Sequence, residues 1–577
     1  MKHEKKLKVY VSTPMIGVTG SLYLVDIKFS DDSNLRLVID CGKENIEFEG
    51  YETFSGFYFN PESINCVLLT HCHLDHFGKL AELYHDGASV NCKVICTPGT
   101  SALLPTALMD AYHVDQTHGD ATYGKDDVEK VINSMYTIDY NQSIVIEEIP
   151  GNEVKITCLY NAHIPGACMY LLSVSDKEDW QTQYFLFSGD YKDKPALAKK
   201  MVIPQEIYEL PINLFLESTY GNTIEKDNTG DLLIDKIERY LDDGKKNIVI
   251  PSISLERLQI ILLNLKYAQE DGRISADIPI FVHAPLGMSY SEKFMHDNRI
   301  KLRRDCKDFY PENMVVEPKI GFSETNPQII IAGGGMGHGP SRQYIIDALP
   351  REDSVIIFTC YQAEGTLGRK ILDEKFDSQI QISDSQNVSK KAAIDWTGEF
   401  SGHAHLRALR KFIRKFDNLR SIAISHGEAS ARANLIEEAE NIVDCPVRNI
   451  DRYVYFTYVD NELHKIRNSN LNPSECDYKK KDETISLKKK KKKKEKGRKN
   501  KVDQRNMSSN NRVYNSPRNK AQKDVSHRRF WTVTFNVNQL LPGGNPRFRV
   551  VSYFIYKIYK WKSKLNLLKI NVVFKKL

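Results

Sequence analysis

The chain reads as an α/β protein in which a parallel-sheet block interrupts a strand-rich one. Three observations predict this. The first two hundred residues carry short β-type runs between loops, residues 223–394 alternate strand and helix patterns, and after Trp396 the chain returns to histidine-bearing segments like those near its start. In the first block the runs are 8–11, 21–25, 35–40, 66–70, 94–96, 154–159, 169–174 and 184–187. Many of them end at a histidine, an aspartate or a glycine, and strand ends are where a rigid scaffold presents ligands. In the second block a helical pattern over 231–241 precedes a strand over 247–251 and a helix over 255–269. Strand 278–283, helix 287–296, strand 328–332, helix 341–349 and strand 354–359 follow, the alternation of a parallel sheet covered by helices. A helix over 404–415 and a strand over 420–425 belong to the returning segment, and folding signals fade after about residue 468. No internal repeat is present.

With 577 residues, 41% hydrophobic and 27% charged, the chain has room for two or more domains of ordinary globular composition. Its net charge of +5 hides an asymmetry: residues 479–577 carry 30 Lys and Arg against 5 Asp and Glu, a net of +25, and the rest is a body of −20. Such a body does not attract a polyanion through its overall field, so nucleic-acid binding requires a local basic groove, bound metal or the tail. The tail contains an unbroken lysine run at 488–494 and, near its end, Tyr553, Phe554, Tyr556, Tyr559 and Trp561 among lysines. That mixture suits stacking on nucleic acid or an anionic membrane surface, but a solvated appendage is the favoured reading. None of the 11 cysteines forms a CxxC pair, and Cys92 and Cys96 read as buried free thiols. No signal-peptide core and no apolar run long enough to span a membrane is present, so a cytoplasmic location is expected.

The strongest local signal is His71-Cys72-His73-Leu74-Asp75-His76, directly after the apolar run 66–70. In an extended loop, residues two apart project to one side, so His71 and His73 can share a metal while Asp75 and His76 face a second position. Imidazoles with a carboxylate are the ligand set that catalytic zinc favours. Four such residues within six, at a strand end, fit a polar surface loop poorly.

This hexapeptide is the HxHxDH signature of the metallo-β-lactamase superfamily, and further segments resemble that family in order. They are Asp40 in LVIDCG, His163 in NAHIPGA and Asp190 in FSGDY. Glu217-Ser218-Thr219-Tyr220-Gly221, Phe400-Ser401-Gly402-His403 and Ser425-His426-Gly427-Glu428 are similar to motifs A, B and C of its β-CASP nucleases. That group includes the 3′-end-processing endonuclease of the cleavage and polyadenylation complex, ribonuclease J and DNA cross-link repair nucleases. The segments 331–336 and 361–369 look more like the cleavage-factor branch, whereas His405 replaces the acidic residue many of its members carry.

The resemblance implies a four-layer αββα core from residues 1–222 and 395–465, capped by a β-CASP domain at 223–394, with residues 466–577 a basic, disordered tail. It implies that His71, His73 and His163 hold one metal, that Asp75, His76 and His426 hold the other, and that Asp190 bridges them. Asp40 would orient a metal-binding histidine, His403 would be the general acid and Glu217 its partner, so that His403, Glu217, Asp75 and Asp190 form the catalytic set. The cofactors implied are two Zn2+, with Mn2+ or another divalent ion able to substitute. Two such ions about 3.5–4 Å apart clamp a phosphoryl group from both sides. A neighbouring carboxylate keeps a histidine protonated and able to donate.

Histidine at motif C accompanies the RNA-processing members, so His426 points to single-stranded RNA as substrate. A DNA nuclease or another metal-dependent hydrolase is the rival reading, and a non-catalytic scaffold fits a chain with every ligand type in place poorly. Monomer and homodimer are both open, as are endonucleolytic and 5′-exonucleolytic action. Arg257, Gly335 and Arg342 are candidate contacts to the RNA backbone. The turn at 333–335 precedes a helix, whose N-terminal amides suit a phosphate, and a tight turn needing glycine explains it equally well.

Overall fold

A computed structural model of the chain describes residues 6–15, 17–44, 56–146, 152–177, 182–223, 232–317, 319–362, 365–383, 385–452 and 454–468. Residues 469–577 of the expected tail, Asp231, Ala363 and Glu364 therefore lie outside the described residues, whereas 466–468, expected to be disordered, end the strand Glu462–Asn468.

Two sheets form the half of the fold whose loops carry His71–His76, His163, Asp190 and His426. The first has eight strands, in the order Glu462–Asn468, Val454–Val459, Lys8–Ser12, Tyr23–Lys28, Asn34–Ile39, Cys66–Leu68, Lys93–Cys96 and Met135–Thr137. The second has seven, in the order Val447–Asn449, Leu419–Ser425, Ile212–Glu217, Gln183–Phe187, Cys168–Ser175, Glu153–Tyr160 and Ser143–Ile146. Alternation along each strand sends one set of side chains between the sheets, where Val9, Val25 and Leu37 pack against Ile156, Leu172 and Phe187. The opposite face of the first sheet, with Val38, Val67 and Val94, packs on helices through Leu80, Leu83, Leu104 and Val128. The opposite face of the second, with Leu171, Leu186 and Leu214, packs on helices through Leu409, Phe412 and Leu435. The result is helix, sheet, sheet, helix, an α/β fold.

The third sheet has six strands, all parallel, in the order Met314–Val316, Ile280–His283, Gln328–Gly333, Asn247–Ser252, Ser354–Phe358 and Ala393–Trp396. Ile248 and Ile250 face Leu258 and Leu262 on one side, and Val249, Ile330 and Ile356 face Tyr344, Ile345 and Ile371 on the other. Both faces are dry, as a parallel sheet requires. This block meets the rest through a short antiparallel contact, in which Lys199 N donates to Lys301 O (2.8 Å) and Arg303 N to Leu197 O (2.9 Å).

The elements expected from sequence are found with shifts of three residues or fewer. One expectation fails. The first two hundred residues are not strands and loops alone, because helices at Pro98–His118 and Lys125–Ser134 cover the first sheet. The longer one starts on a Thr97 cap, with Pro98 in the first turn where its missing N–H costs nothing, and Pro105 lies inside it. Residues 99–104 are buried in unbroken succession, so no polar face marks the helix. Cys92 and Cys96 are buried and free. Among the described residues no helix is long and apolar enough to cross a membrane.

Candidate metal centre

His71, His163, Asp190 and His426 sit within three residues of a strand end. The strand Cys66–Leu68 runs into Thr70 and His71, and the chain stays extended to His73 before turning into the short helix Leu74–Phe77, which carries Asp75 and His76. Two segments are stitched to that turn: after Asn34–Ile39, Cys41 N donates to His76 O (2.7 Å), and before Tyr23–Lys28, Ser21 N donates to Asp75 O (2.7 Å). Gly42 lies so close that a Cβ there would fall 1.6 Å from the Asp75 carbonyl oxygen. Gly42→Ala is therefore expected to cost about 3 kcal/mol of stability by overpacking, and to weaken metal uptake as the Asp75–His76 turn shifts. Denaturant unfolding and metal titration check it, and an unchanged midpoint would refute the packing argument.

Asp40 has a left-handed backbone (φ 58°), a strained conformation for a residue with a side chain. Its buried carboxylate accepts from Thr70 N (2.8 Å), Thr70 Oγ1 (2.8 Å) and His76 Nδ1 (2.7 Å). This fixes the protons around it. Thr70 Oγ1 donates to Asp40, so it accepts from His71 Nδ1 (3.0 Å), and the lone pair of His71 Nε2 points inward. His163 Nδ1 donates to Gly402 O (2.7 Å), which leaves its Nε2 bare in the same way. Both bare nitrogens stand 3.0 Å from His73 Nδ1, and one proton there can satisfy only one of them. Asp190 Oδ2 lies 3.6 Å from each. These spacings approach the edge of about 3.3 Å expected for a tetrahedron with bonds of about 2.05 Å around one zinc-sized ion. Burial first, and then the crowding of neighbouring imidazoles, holds His71 and His163 well below the ordinary histidine range, and burial brings His73 down to about 4.

A second group lies beside the first. Asp190 Oδ1 faces His76 Nε2 at 3.2 Å and His426 Nδ1 at 3.3 Å, and Asp75 Oδ2 is 3.7 Å from both His76 Nε2 and His426 Nε2. Asp190 Oδ1, His76 Nε2 and His426 Nε2 are buried without a hydrogen-bond partner, an arrangement a cation would relieve. The two groups, His71, His73, His163 and Asp190, and Asp75, His76, Asp190 and His426, each have the spacing to hold a metal ion. Asp190 is common to both and offers one oxygen to each. His426, like Asp40, is left-handed (φ 45°).

His403 stands at the rim. Its Nε2 is 3.8 Å from Asp190 Oδ2, and its Nδ1 is 3.0 Å from Glu217 Oε1. Glu217 is buried and fixed by two amides, Tyr191 N on Oε1 (2.7 Å) and Thr219 N on Oε2 (3.0 Å). Burial opposes a charge on His403, but the Glu217 and Asp190 carboxylates outweigh it and push its pKa up to about 9.

Comparison with known families matches residues 29–182 to a metallo-beta-lactamase superfamily domain, 257–371 to a Beta-Casp domain and 387–446 to a Zn-dependent metallo-hydrolase RNA specificity domain. The chain is a β-CASP member of the metallo-β-lactamase superfamily. It is 27% identical over 418 residues to transcription termination factor FttA of Methanocaldococcus jannaschii, covering 68% of this chain and 63% of that protein. FttA of Methanothermobacter thermautotrophicus is 27% identical over 432 residues (68% and 64%). The ribonuclease TTHA0252 of Thermus thermophilus is 26% identical over 406 residues, covering 67% of this chain and 86% of that protein. The chain thus spans less than two thirds of the length of these FttA proteins.

In this β-CASP protein Asp40 touches a histidine of the second group directly and one of the first through Thr70. Such partners set ring orientation, so Asp40→Ala is expected to reduce metal affinity by about 10- to 100-fold, read by competition with a chelating dye. Unaltered affinity would remove its orienting role.

The candidate RNA contacts are placed differently. Arg257 is half-buried, lies over the Phe400 ring (5.8 Å) and donates to Thr359 O. Arg342 donates to Ile382 O (2.8 Å), away from the metal groups. Gly335 sits where a Cβ would meet Cys360 Sγ at 2.7 Å, and Ser341 of the following helix donates to Gly334 O, so hydrogen bonding inside the turn accounts for it.

Sequence reasoning missed Thr70 and the Gly402 carbonyl. It also missed Glu256, a buried carboxyl at a left-handed position (φ 64°) beginning the helix Arg257–Glu270. Burial pushes it up to about 7 against the pull of Lys192 and Arg257. No spacing marks any of these three.

Proposed function

We propose that this chain is a zinc-dependent ribonuclease that hydrolyses phosphodiester bonds of single-stranded RNA with two divalent cations, in RNA processing or decay. The observation that carries the reading is Asp190, with one oxygen toward each ligand group and the His403–Glu217 pair beside it. The RNA specificity match and the ribonuclease relative support RNA as the substrate. On this reading residues 1–222 and 395–465 hold the metals, and 223–394 cap them.

His71, His73 and His163 would hold one ion, Asp75, His76 and His426 the other, and Asp190 would bridge them. Bound there, the cations would polarise the scissile phosphate and acidify an attacking water. The protein's own part is positional and protic. Asp40 and Thr70 keep the inward nitrogens bare. A water oxygen, having released one proton to bulk solvent, would form the new bond to phosphorus as the bond to the leaving ribose oxygen breaks, and the ribose oxygen would take the proton on His403 Nε2. Glu217, against Nδ1, favours the protonated ring beforehand.

The test is cleavage of internally labelled RNA and matched DNA by the purified full chain, with and without chelator. RNA loss abolished by chelator and restored by Zn2+ is expected. Cleavage indifferent to chelator would overturn the metal, and equal cleavage of DNA would overturn the preference for RNA.

A further inference from the structure

All strands of the third sheet run one way, so Ser252, Gly333, Phe358 and Trp396 end along one edge. In open parallel sheets ligands bind outside the carboxyl ends, where loops diverge from the strands. Here one of the segments leaving that edge reaches the candidate metal centre, where the Gly402 carbonyl accepts from His163 Nδ1 (2.7 Å) and His403 Nε2 lies 3.8 Å from Asp190 Oδ2. Arg257 follows Ser252, Thr359 and Cys360 follow Phe358, and Phe400 to His403 follow Trp396.

Contacts join them. His403 is 6.1 Å from the Tyr220 ring. Arg257 lies near Tyr220, covers Phe400 and holds Thr359 O. Trp396 Nε1 donates to Cys360 O (3.0 Å).

Trp396 is unusual among these residues because it is 47% exposed although its pose is fixed. Its indole N–H is satisfied, and the ring lies on Gly398 so closely that a Cβ there would come within 2.5 Å of it. A tryptophan kept for the core would be covered, since most of its contribution comes from buried area. The acidic neighbours are engaged elsewhere. Asp395 pairs with Lys236 (2.8 Å) and Arg239 (2.7 Å), and Glu399 accepts from Leu233 N (2.6 Å).

We propose that Trp396 is a stacking platform for one base of the substrate strand, outside the phosphate held at His403. The proposal rests on the RNA reading above. Any base offers a π face, so the contact is sequence-tolerant and would grip the strand without selecting its sequence.

The experiment is an abasic scan. The full-length metal-loaded protein is given RNAs of one sequence, each lacking the base at one position, and KM and kcat are measured. For the wild type KM should rise about 10-fold when the missing base falls at one position on one side of the cut. Trp396→Ala should erase that dependence and Trp396→Phe should keep it. Gly398→Ala, which retains the indole but displaces it, should erase it too, and serves if Trp396→Ala does not fold. A dependence equally strong in Trp396→Ala and Gly398→Ala overturns the stacking role while the ribonuclease reading stands. A wild type that cleaves none of the RNAs overturns both.

Discussion

Asp190→Ala is expected to strip the protein of bound divalent metal and to lower hydrolysis by roughly three orders of magnitude, about 4 kcal/mol of lost charge stabilisation. The side chain is 3% exposed, with Oδ2 at 3.6 Å from His71 Nε2 and from His163 Nε2, and Oδ1 at 3.2 Å from His76 Nε2. No other carboxylate belongs to both ligand groups among the described residues. Removing it leaves three neutral imidazoles on one side and Asp75 with two imidazoles on the other. Asp190→Asn keeps the shape without the charge and should fail almost as badly. Elemental analysis of dialysed protein, with single-turnover rates, decides the matter. Two equivalents of metal retained by Asp190→Ala would end the bridging role.

His403→Ala is expected to behave differently: metal content intact, turnover down by about 10²- to 10⁴-fold, the usual worth of a positioned proton donor. The separation follows from geometry. His403 belongs to neither ligand group, and its Nε2 stops 3.8 Å from Asp190 Oδ2. Glu217→Gln should reproduce part of the loss. An amide nitrogen cannot accept from Tyr191 N, Thr219 N or His403, so one contact must break. Loss of metal from His403→Ala would make it a ligand and remove it as the acid.

The two experiments separate roles that the sequence could only list together. His71, His73, Asp75 and His76 were legible because they lie within six residues, whereas His163, Asp190 and His426 were legible only through the resemblance of their segments to family motifs. The parallel block was legible from its alternation of period. The helix Pro98–His118 was not, since it is wedged between the first sheet and the helix Pro285–His296 and buried on every side at its N-terminal end. Thr70 and Gly402 escaped for another reason. They act through a hydroxyl turned by Asp40 and through a backbone carbonyl, and neither depends on a residue type that stands out in a chain.

The pairing of Ile212–Glu217 with Leu419–Ser425 has a consequence for synthesis. Ser218 Oγ donates to the Ser425 carbonyl, a partner made 207 positions later, with the entire parallel block emerging from the ribosome in between. Until then Ile212–Glu217, mostly apolar and buried throughout in the finished protein, shows one unpaired edge to the cell. A message truncated anywhere within the block would therefore yield an aggregation-prone product, and newborn chains would need shelter until the last third of the protein arrives.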